Sequence, residues 1–146
     1  MKKFYLILII FFGLFVGNLT TSYAQSGDDL VEICNMVAGE ATYLKDFKVS
    51  LDAGDPPPNA RYSLVLSKGV KYRLTVCNSK DYDGEAILDL FDNNRLLGST
   101  YIVATGKDYP FFDFKCTKTG VYHVVVKFKD GKQGLAVAML SYVENF

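Results

Sequence analysis

The sequence predicts an all-β protein, an antiparallel β-sandwich of about eight strands that is jelly-roll-like, with one short N-terminal helix. From Asp46 onward, apolar and polar residues alternate with a period of two, as they do in strands that bury one face. Turn-forming residues separate the alternating runs, for example at Lys68 and Gly69 and at residues 118–120. Short strands with this spacing are typical of a sandwich.

The first 24 residues are predicted to be a secretory signal peptide and not part of the fold. A short basic start precedes an apolar run of 13 residues, 4–16, and small residues follow at Ser22 and Ala24. The run is shorter than the roughly 20 residues that span a bilayer. We therefore expect cleavage after Ala24, export to the periplasm or the cell exterior, and no membrane span in the mature chain.

The mature chain is expected to form one domain, with a helix and lead-in at residues 25–45 and the β-sandwich at residues 46–146. Loss of Lys2 and Lys3 with the signal peptide leaves a net charge of −2. The chain therefore lacks the basic field that attracts nucleic acid, and nucleic acid is not an expected partner.

A helix is predicted over residues 26–39, with Asp28 as its cap and Gly39 at its end. Its apolar residues recur at helical spacing and form one stripe: Leu30, Ile33, Cys34 and Val37. The last predicted strand, residues 135–143, is apolar on both faces, so its second face also needs a cover. The helix stripe is the first candidate for that cover, and a partner protein is the alternative.

The predicted strands follow in order along the rest of the chain. They are residues 47–51, 61–66, 71–76, 87–90, a strand from Leu96, and residues 112–116, 122–128 and 135–143. A proline-rich segment, residues 55–59, is expected to be a stiff, extended loop.

The single histidine, His123, follows Cys116 by seven residues, which raises the question of a catalytic pair. The alternation turns His123 outward and Cys116 inward, so the two side chains start on opposite faces, whereas a nucleophile and its base must come within roughly 3 Å. One histidine is too few for a zinc site, and no phosphate-binding loop or nucleophile elbow is present. The sequence predicts no catalytic residue, no metal site and no cofactor.

Four segments occur in an order that resembles a known family. They are residues 62–76, a strand, a glycine turn and a tyrosine-led strand, then residues 87–98, 112–114 and 119–126. Over about residues 60–143 the chain resembles the bacterial pre-peptidase C-terminal domain and similar jelly-roll modules, and it is also similar to small secreted bacterial proteins. The resemblance implies a jelly-roll fold and a binding or solubility role. The helix and the three cysteines depart from that pattern.

Aromatic residues in two predicted loops are the candidate binding surface. Tyr101, Tyr109 and Phe111 fall in the long segment 101–111, and Tyr82 falls in another loop. Flat, amphipathic rings suit sugar rings and peptide side chains. The alternative is that these rings cap one end of the core, because exposed apolar patches are uncommon.

Three functions of different classes remain open. The favoured one is an exported, non-catalytic binding or adaptor module of the bacterial envelope, for a glycan or an envelope protein. The second is a small hydrolase that uses two close carboxylates from the set Asp81, Asp83, Asp108 and Asp113. The third is a structural subunit of an envelope assembly, with an uncovered sheet edge or an apolar outer face on the last strand. The oligomeric state is not predicted.

An exported chain with three cysteines is expected to form one disulfide and to leave one thiol. Alternating strand directions place Cys77 at one end of the sandwich and Cys116 at the other, beyond the limit of about 7 Å between bonded Cα atoms. The helix leads into the first strand at the end where Cys116 lies. We therefore predict a disulfide between Cys34 and Cys116, with Cys77 free.

Overall fold

The computed structural model describes residues 26–146, and the predicted signal peptide, residues 1–24, lies outside the described residues. This part of the chain forms one α-helix, α1 (Gly27–Ala38), ten strands and a 3₁₀ turn at Lys129–Gly131. The strands are β1 (Thr42–Leu51), β2 (Asn59–Leu66), β3 (Val70–Asn78), β4 (Ala86–Asp92), β5 (Arg95–Ser99), β6 (Tyr101–Ile102), β7 (Lys107–Asp108), β8 (Phe111–Cys116), β9 (Gly120–Phe128) and β10 (Gly134–Asn145).

The eight longer strands form two four-stranded antiparallel sheets. The first sheet has the order β1-β10-β3-β8 and the second has the order β2-β9-β4-β5. This order is the jelly-roll arrangement, so the predicted antiparallel sandwich is confirmed. The remaining strands, β6 and β7, pair with each other as a short hairpin inside the segment that was predicted to be a long loop.

The main core lies between the two sheets, and the period-two pattern decides which side chains enter it. Tyr122, Val124 and Val126 of β9 are buried there, as predicted. His123 lies on the opposite face of the same strand, with its Nδ1 3.1 Å from the Ser63 Oγ on β2. Its outward orientation agrees with the sequence prediction.

Strand β1 begins at Thr42, whereas the alternating pattern begins at Asp46. The first residues of β1 pair with the end of β10, with Thr42 opposite Tyr142. The register shifts between Tyr43 and Lys45. This irregularity interrupts the alternation of apolar and polar residues. The sequence pattern therefore does not predict the first residues of β1.

Helix α1 begins with a capping box. The Ser26 hydroxyl accepts a hydrogen bond from the Asp29 backbone N–H, and the Asp29 carboxylate accepts one from the Ser26 N–H. Asp28, the predicted cap, lies instead in the first turn, where its carboxylate pairs with Lys48 of β1. Gly39 ends the helix, as predicted.

The helix covers the outer face of the first sheet and forms a second, smaller core with it. At its C-terminal end, the Ala38 carbonyl accepts a hydrogen bond of 3.0 Å from Arg73 Nη1 on β3. The helix thus supplies the cover that the doubly apolar strand β10 required. The buried members of this second core are Leu30, Cys34, Ala38, Cys77, Val137 and Met139.

The disulfide joins Cys34 to Cys77, with their Cα atoms 5.6 Å apart, so the predicted Cys34–Cys116 pairing is wrong. Cys116 is a free, buried thiol in the core between the sheets. It lies opposite Val70, at the far end of β3 from Cys77, so these two cysteines are widely separated, as predicted. The error concerns the helix, which lies along the outer face of the sheet and not at the end of the sandwich. Its buried stripe therefore meets Cys77, which faces outward from β3.

Candidate functional site

Four connections gather at one end of the sandwich, which we call the loop end. They join β1 to β2, β3 to β4, β5 to β8 through the β6–β7 hairpin, and β9 to β10. The register places them together, because Leu51 lies opposite Gly134 and Ala86 lies opposite Phe128. The jelly roll thus builds one surface from segments that are far apart in sequence.

Backbone hydrogen bonds hold these loops against one another. Gly131 has a φ of 64° and leaves no room for a side chain beside the Gly54 carbonyl oxygen, so this approach requires glycine. The loops are consequently held in place by the backbone and do not depend on side-chain packing alone. The bonds that link them are Gly54 N to Gly131 O (2.9 Å), Ser79 N to Leu135 O (2.7 Å), Gly84 N to Gln133 O (3.0 Å) and Lys129 N to Glu85 O (2.9 Å).

A cleft of about 470 Å³ opens at the loop end beside the β6–β7 hairpin. Its lining combines the carboxylates of Glu85 and Asp108 with Asn78 and Tyr109. Tyr109 as a whole residue is 48% exposed. A wide, open cleft with an aromatic rim and acidic groups suits contact with a polar or cationic partner surface.

Lys129 lies at the centre of an ion-pair network beside this cleft. Its Nζ lies 3.1 Å from Glu85 Oε2, it pairs with the Asp108 carboxylate, and it lies 4.6 Å from the centroid of the Tyr101 ring. The hydrogen bond with Asp108, followed by that with Glu85, raises the pKa of Lys129. Both carboxylates accept hydrogen bonds from one ammonium group, and this arrangement positions the loops.

A second cleft, of about 400 Å³, lies at the same end. Asp81, Tyr82 and Asp83 of the β3–β4 loop line it, with Lys132 and Gln133 from the β9–β10 connection. Tyr82 as a whole residue is 41% exposed. The loop end therefore presents two clefts, each with an exposed tyrosine at its rim.

The structure brings three of the four predicted aromatic residues to the loop end but does not join them in one platform. Tyr109 and Tyr82 line different clefts, and the Tyr101 ring packs beneath the Lys129 ammonium group. Phe111 lies on the outer face of the first sheet, where the Arg73 guanidinium is 4.1 Å from its ring centroid.

The four acids considered for a hydrolase are also divided. Asp81 and Asp83 line the second cleft and Asp108 lines the first. Asp113 lies on the outer sheet face, where Arg73 donates hydrogen bonds of 2.7 and 2.9 Å to its two carboxylate oxygens. These hydrogen bonds lower the pKa of Asp113. Asp113 thus belongs to a structural ion pair and not to either cleft.

Sequence reasoning did not identify Lys129 and Glu85 as members of the site. The two residues are 44 positions apart, and no motif connects them. A lysine in a turn and a glutamate before a strand are ordinary surface residues until the fold joins them. An alternating pattern indicates which face of a sheet a residue occupies. It does not indicate which residues of other loops lie beside that residue.

The loop end also differs in charge from the opposite end of the sandwich. Its connections carry seven acidic and four basic side chains, for a net charge of −3, whereas the opposite connections carry Glu40, Lys68 and Lys118. Negative potential is therefore concentrated at the clefts. The acidic residues are Asp52, Asp55, Asp81, Asp83, Glu85, Asp108 and Asp130, and the basic ones are Lys80, Lys107, Lys129 and Lys132.

Within residues 26–146, no group of three or more His, Cys, Asp or Glu side chains is arranged to hold a metal ion. No helix in the same range is long and apolar enough to cross a membrane.

Comparison with known proteins gives a likeness of fold. No protein-family model matches the chain, and no curated protein matches it. Four chains of solved structures match. One is the crystal structure of PliG from Aeromonas hydrophila, a periplasmic lysozyme inhibitor of g-type lysozyme, with a TM-score of 0.52 and 15% sequence identity over 71% of this chain and 89% of that chain. The likeness supports a small β-sandwich. It does not confirm the predicted resemblance to the pre-peptidase C-terminal domain.

Proposed function

We propose that this chain is an exported, non-catalytic inhibitor that binds a wall-degrading lysozyme through its loop end. The observation that carries the proposal is the loop end itself, where braced loops present two acidic clefts, each with an exposed tyrosine. Tyrosine is enriched at protein interfaces because one end of its ring is apolar and the other is polar. The fold likeness to a periplasmic lysozyme inhibitor supports this class of partner.

Export is the second part of the proposal. The Cys34–Cys77 disulfide belongs to a protein that folds in an oxidising compartment, such as the periplasm. The basic start, the short apolar run and Ala24 have the layout of a signal peptide. Both features are consistent with a mature chain that begins at Gln25.

The charge of the loop end supports a cationic partner. A lysozyme works on the anionic bacterial wall, and positive charge on the enzyme favours that encounter. The acidic loop end would attract the same positive surface and orient the clefts toward the enzyme. The charge distribution thus favours the loop end over the opposite end of the sandwich as the binding surface.

A protein is favoured over a glycan because the aromatic rings do not form a stacking platform. The Tyr101 and Phe111 rings are each covered on one side by a cation, and Tyr82 and Tyr109 lie in separate clefts. A sugar-binding platform places several exposed rings side by side. A protein surface can engage two separated tyrosines at once.

The experiment measures inhibition of g-type lysozyme by the oxidised mature protein, with a c-type lysozyme in parallel. Tyr109→Ala and Tyr82→Ala should each weaken inhibition by about tenfold, as expected for the loss of an interface tyrosine. His123→Ala is the matched control, since His123 lies on the outer face of the second sheet, and it should stay within about threefold of the wild type.

Failure of the wild-type protein to inhibit either lysozyme would overturn the proposal. Binding of chito-oligosaccharide by the protein alone, without lysozyme inhibition, would favour a glycan partner instead. Thermal unfolding of each variant establishes whether a loss of inhibition reflects a lost contact or a lost fold.

A further inference from the structure

Two exposed valines stand side by side on the outer face of the second sheet, at the end opposite the loop end. Val65 of β2 lies directly opposite Val121 of β9. Their neighbours Leu66 and Tyr122 are buried in the main core, so both valines face outward. Val65 is 72% exposed and Val121 is 53% exposed. Opposed side chains on antiparallel strands interact, so the two form one apolar surface, which we call the valine pair.

Strand formation does not account for the valine pair. Threonine has a similar β-branched shape, also favours strands and suits an outer face in water. Helix α1 covers the outer face of the first sheet, whereas no helix or strand among residues 26–146 covers the valine pair. Single exposed apolar residues are ordinary, but two that are directly opposed leave a continuous apolar surface. The valine pair therefore indicates a binding surface.

Cationic side chains lie beside the valine pair. The β2–β3 turn carries Lys68 and the β8–β9 turn carries Lys118, and both residues are exposed. A hydrogen bond of 2.8 Å from Lys68 N to Thr119 Oγ1 holds the two turns together. Arg61, on the same face of β2 as the valine pair, donates a hydrogen bond of 3.2 Å to the Asn93 carbonyl. Among residues 26–146, none of these three cations pairs with a carboxylate.

The carboxylates that the second sheet carries are already paired with other cations. Asp89 lies 3.3 Å from Lys127 Nζ, and Asp92 lies 3.6 Å from Arg95 Nη2. The valine pair is consequently bordered by positive charge that no nearby acid compensates. The small negative net charge of the predicted mature chain conceals this local excess, because the acidic residues are concentrated at the loop end.

We propose that the valine pair and its cations dock the protein on an anionic phospholipid membrane surface, an inference that goes beyond the proposed function. The valine pair enters the interfacial region of the bilayer, and Lys68 and Lys118 reach the headgroup phosphates. Peripheral binding of this kind depends on buried apolar area together with electrostatic attraction to anionic lipids. The surface described here supplies both.

The combination of apolar and cationic groups distinguishes lipid from other partners. A second copy of the chain that used the same surface would place lysines against lysines, because a two-fold interface repeats one patch on both subunits. Like charges repel at such distances. A polyanionic glycan would pair with the lysines but would leave the valine pair in water. A lipid surface accepts both kinds of group.

Docking through this end directs the loop end away from the membrane. Strand β9 has nine residues and therefore separates the two ends of the sandwich by about 30 Å. This separation exceeds the screening length of about 8 Å at physiological ionic strength, so the acidic clefts do not oppose docking. The clefts remain accessible to a soluble partner.

Binding to sedimented vesicles tests the proposal with the oxidised mature protein. Vesicles of phosphatidylglycerol and phosphatidylcholine in equal parts should bind it, and vesicles of phosphatidylcholine alone should not. The double variant Lys68→Glu and Lys118→Glu should bind anionic vesicles about 30-fold more weakly, since each lysine near an anionic surface contributes about 1 kcal/mol. The matched control, Lys107→Glu with Lys132→Glu, makes the same charge change at the loop end and should stay within about threefold of the wild type.

A valine variant separates lipid from other anionic partners. Val65→Thr with Val121→Thr keeps the β-branched shape but removes apolar surface, so it should weaken vesicle binding by about fivefold. It should leave binding to polyglutamate, a soluble polyanion, unchanged. Thermal unfolding establishes that each variant is folded.

Three outcomes would overturn the membrane proposal. Equal binding to neutral and anionic vesicles would show that charge does not direct docking. Equal behaviour of the two lysine variants would show that the contact lies elsewhere. Wild-type vesicle binding by the valine variant would show that the surface binds polyanions without entering lipid. No lysozyme is present in these measurements, so their outcome is independent of the proposed function.

Discussion

Arg73 shows how one residue can organise a surface that the sequence divides among three segments. Its guanidinium donates to the Ala38 carbonyl at the end of α1, forms two hydrogen bonds with Asp113 and packs over the Phe111 ring. The planar fork of arginine suits this combination of bidentate pairing and stacking. These contacts explain why Phe111 and Asp113 have structural roles and do not belong to the clefts.

The Arg73–Asp113 pair predicts a pH-dependent contribution to stability. The hydrogen bonds from Arg73 depress the pKa of Asp113 below 3.8, so the stabilisation is present above about pH 4 and is lost as the pH falls through the folded-state pKa. Asp113→Asn should lower the free energy of unfolding at pH 7 by about 1 kcal/mol, a modest value because solvent screens the pair. Urea unfolding at pH 7 and pH 2.5 measures the difference, which should shrink at the lower pH.

The matched control for this prediction is Asp52→Asn, which changes an exposed carboxylate in the β1–β2 connection. The free energy of unfolding of Asp52→Asn should equal that of the wild type at both pH values. A destabilisation by Asp113→Asn that is equal at pH 7 and pH 2.5 would show that the carboxylate charge does not stabilise the fold.

At the scale of elements, α1 is attached to the sandwich by both packing and a covalent bond. Leu30, Cys34 and Ala38 pack on Val137 and Met139, and the disulfide links the middle of the helix to the end of β3. A 12-residue helix is marginal in isolation, so tertiary contacts account for most of its stability. Without α1, the apolar outer face of β10 would be exposed to water.

The disulfide is expected to contribute substantially to stability. The double variant Cys34→Ala and Cys77→Ala should lower the free energy of unfolding by about 4 kcal/mol, the scale that the chain-entropy model gives for a loop of this length. Hydrogen exchange should show that the α1 amides lose more protection than those of the second sheet, because the helix loses its covalent link.

The control is Cys116→Ala, which leaves the disulfide intact. It should cost about 1 kcal/mol through the loss of a small buried group, without selective loss of protection in α1. Non-reducing peptide mapping of the wild type should yield a peptide that joins Cys34 and Cys77. A peptide that joins Cys34 and Cys116 would contradict the structure.

At the scale of the whole molecule, the jelly roll creates an asymmetric particle. Each connection at the loop end joins strands that run in opposite directions, so four long segments meet there, while the other end has short turns. Acidic side chains accumulate in the long segments. The molecule therefore has a charged end with clefts and a projecting hairpin, and the rest of its surface is formed by the outer faces of the sheets and the helix.

This charge asymmetry predicts salt-dependent association. For the proposed complex with g-type lysozyme, the association rate constant should fall by about tenfold between 20 and 200 mM salt, because screening removes long-range attraction. Asp52→Lys at the loop end should slow association, and Lys118→Glu at the opposite end should change it by less than about twofold. Biolayer interferometry measures both. Equal effects of the two substitutions would show that the loop end does not guide the encounter.

The sequence by itself determined the fold class, the helix and the strands of the sandwich. These are local properties, since alternation along a single strand reports which face of each strand is buried. His123 was assigned correctly to an outer face for the same reason. The doubly apolar strand β10 also revealed, from its composition alone, that a second layer must cover the first sheet.

The tertiary structure alone decided which residues meet. Which cysteines form the disulfide depends on where α1 lies on the sheet. The periodicity of apolar residues along the helix does not specify where on the sheet the helix packs. Lys129, Glu85 and Asp108 come together because antiparallel strands return distant loops to one end. The separation of Tyr82, Tyr109 and Phe111 has the same origin. Contacts across loops depend on the directions and spacing of whole elements, whereas sequence patterns describe each element alone.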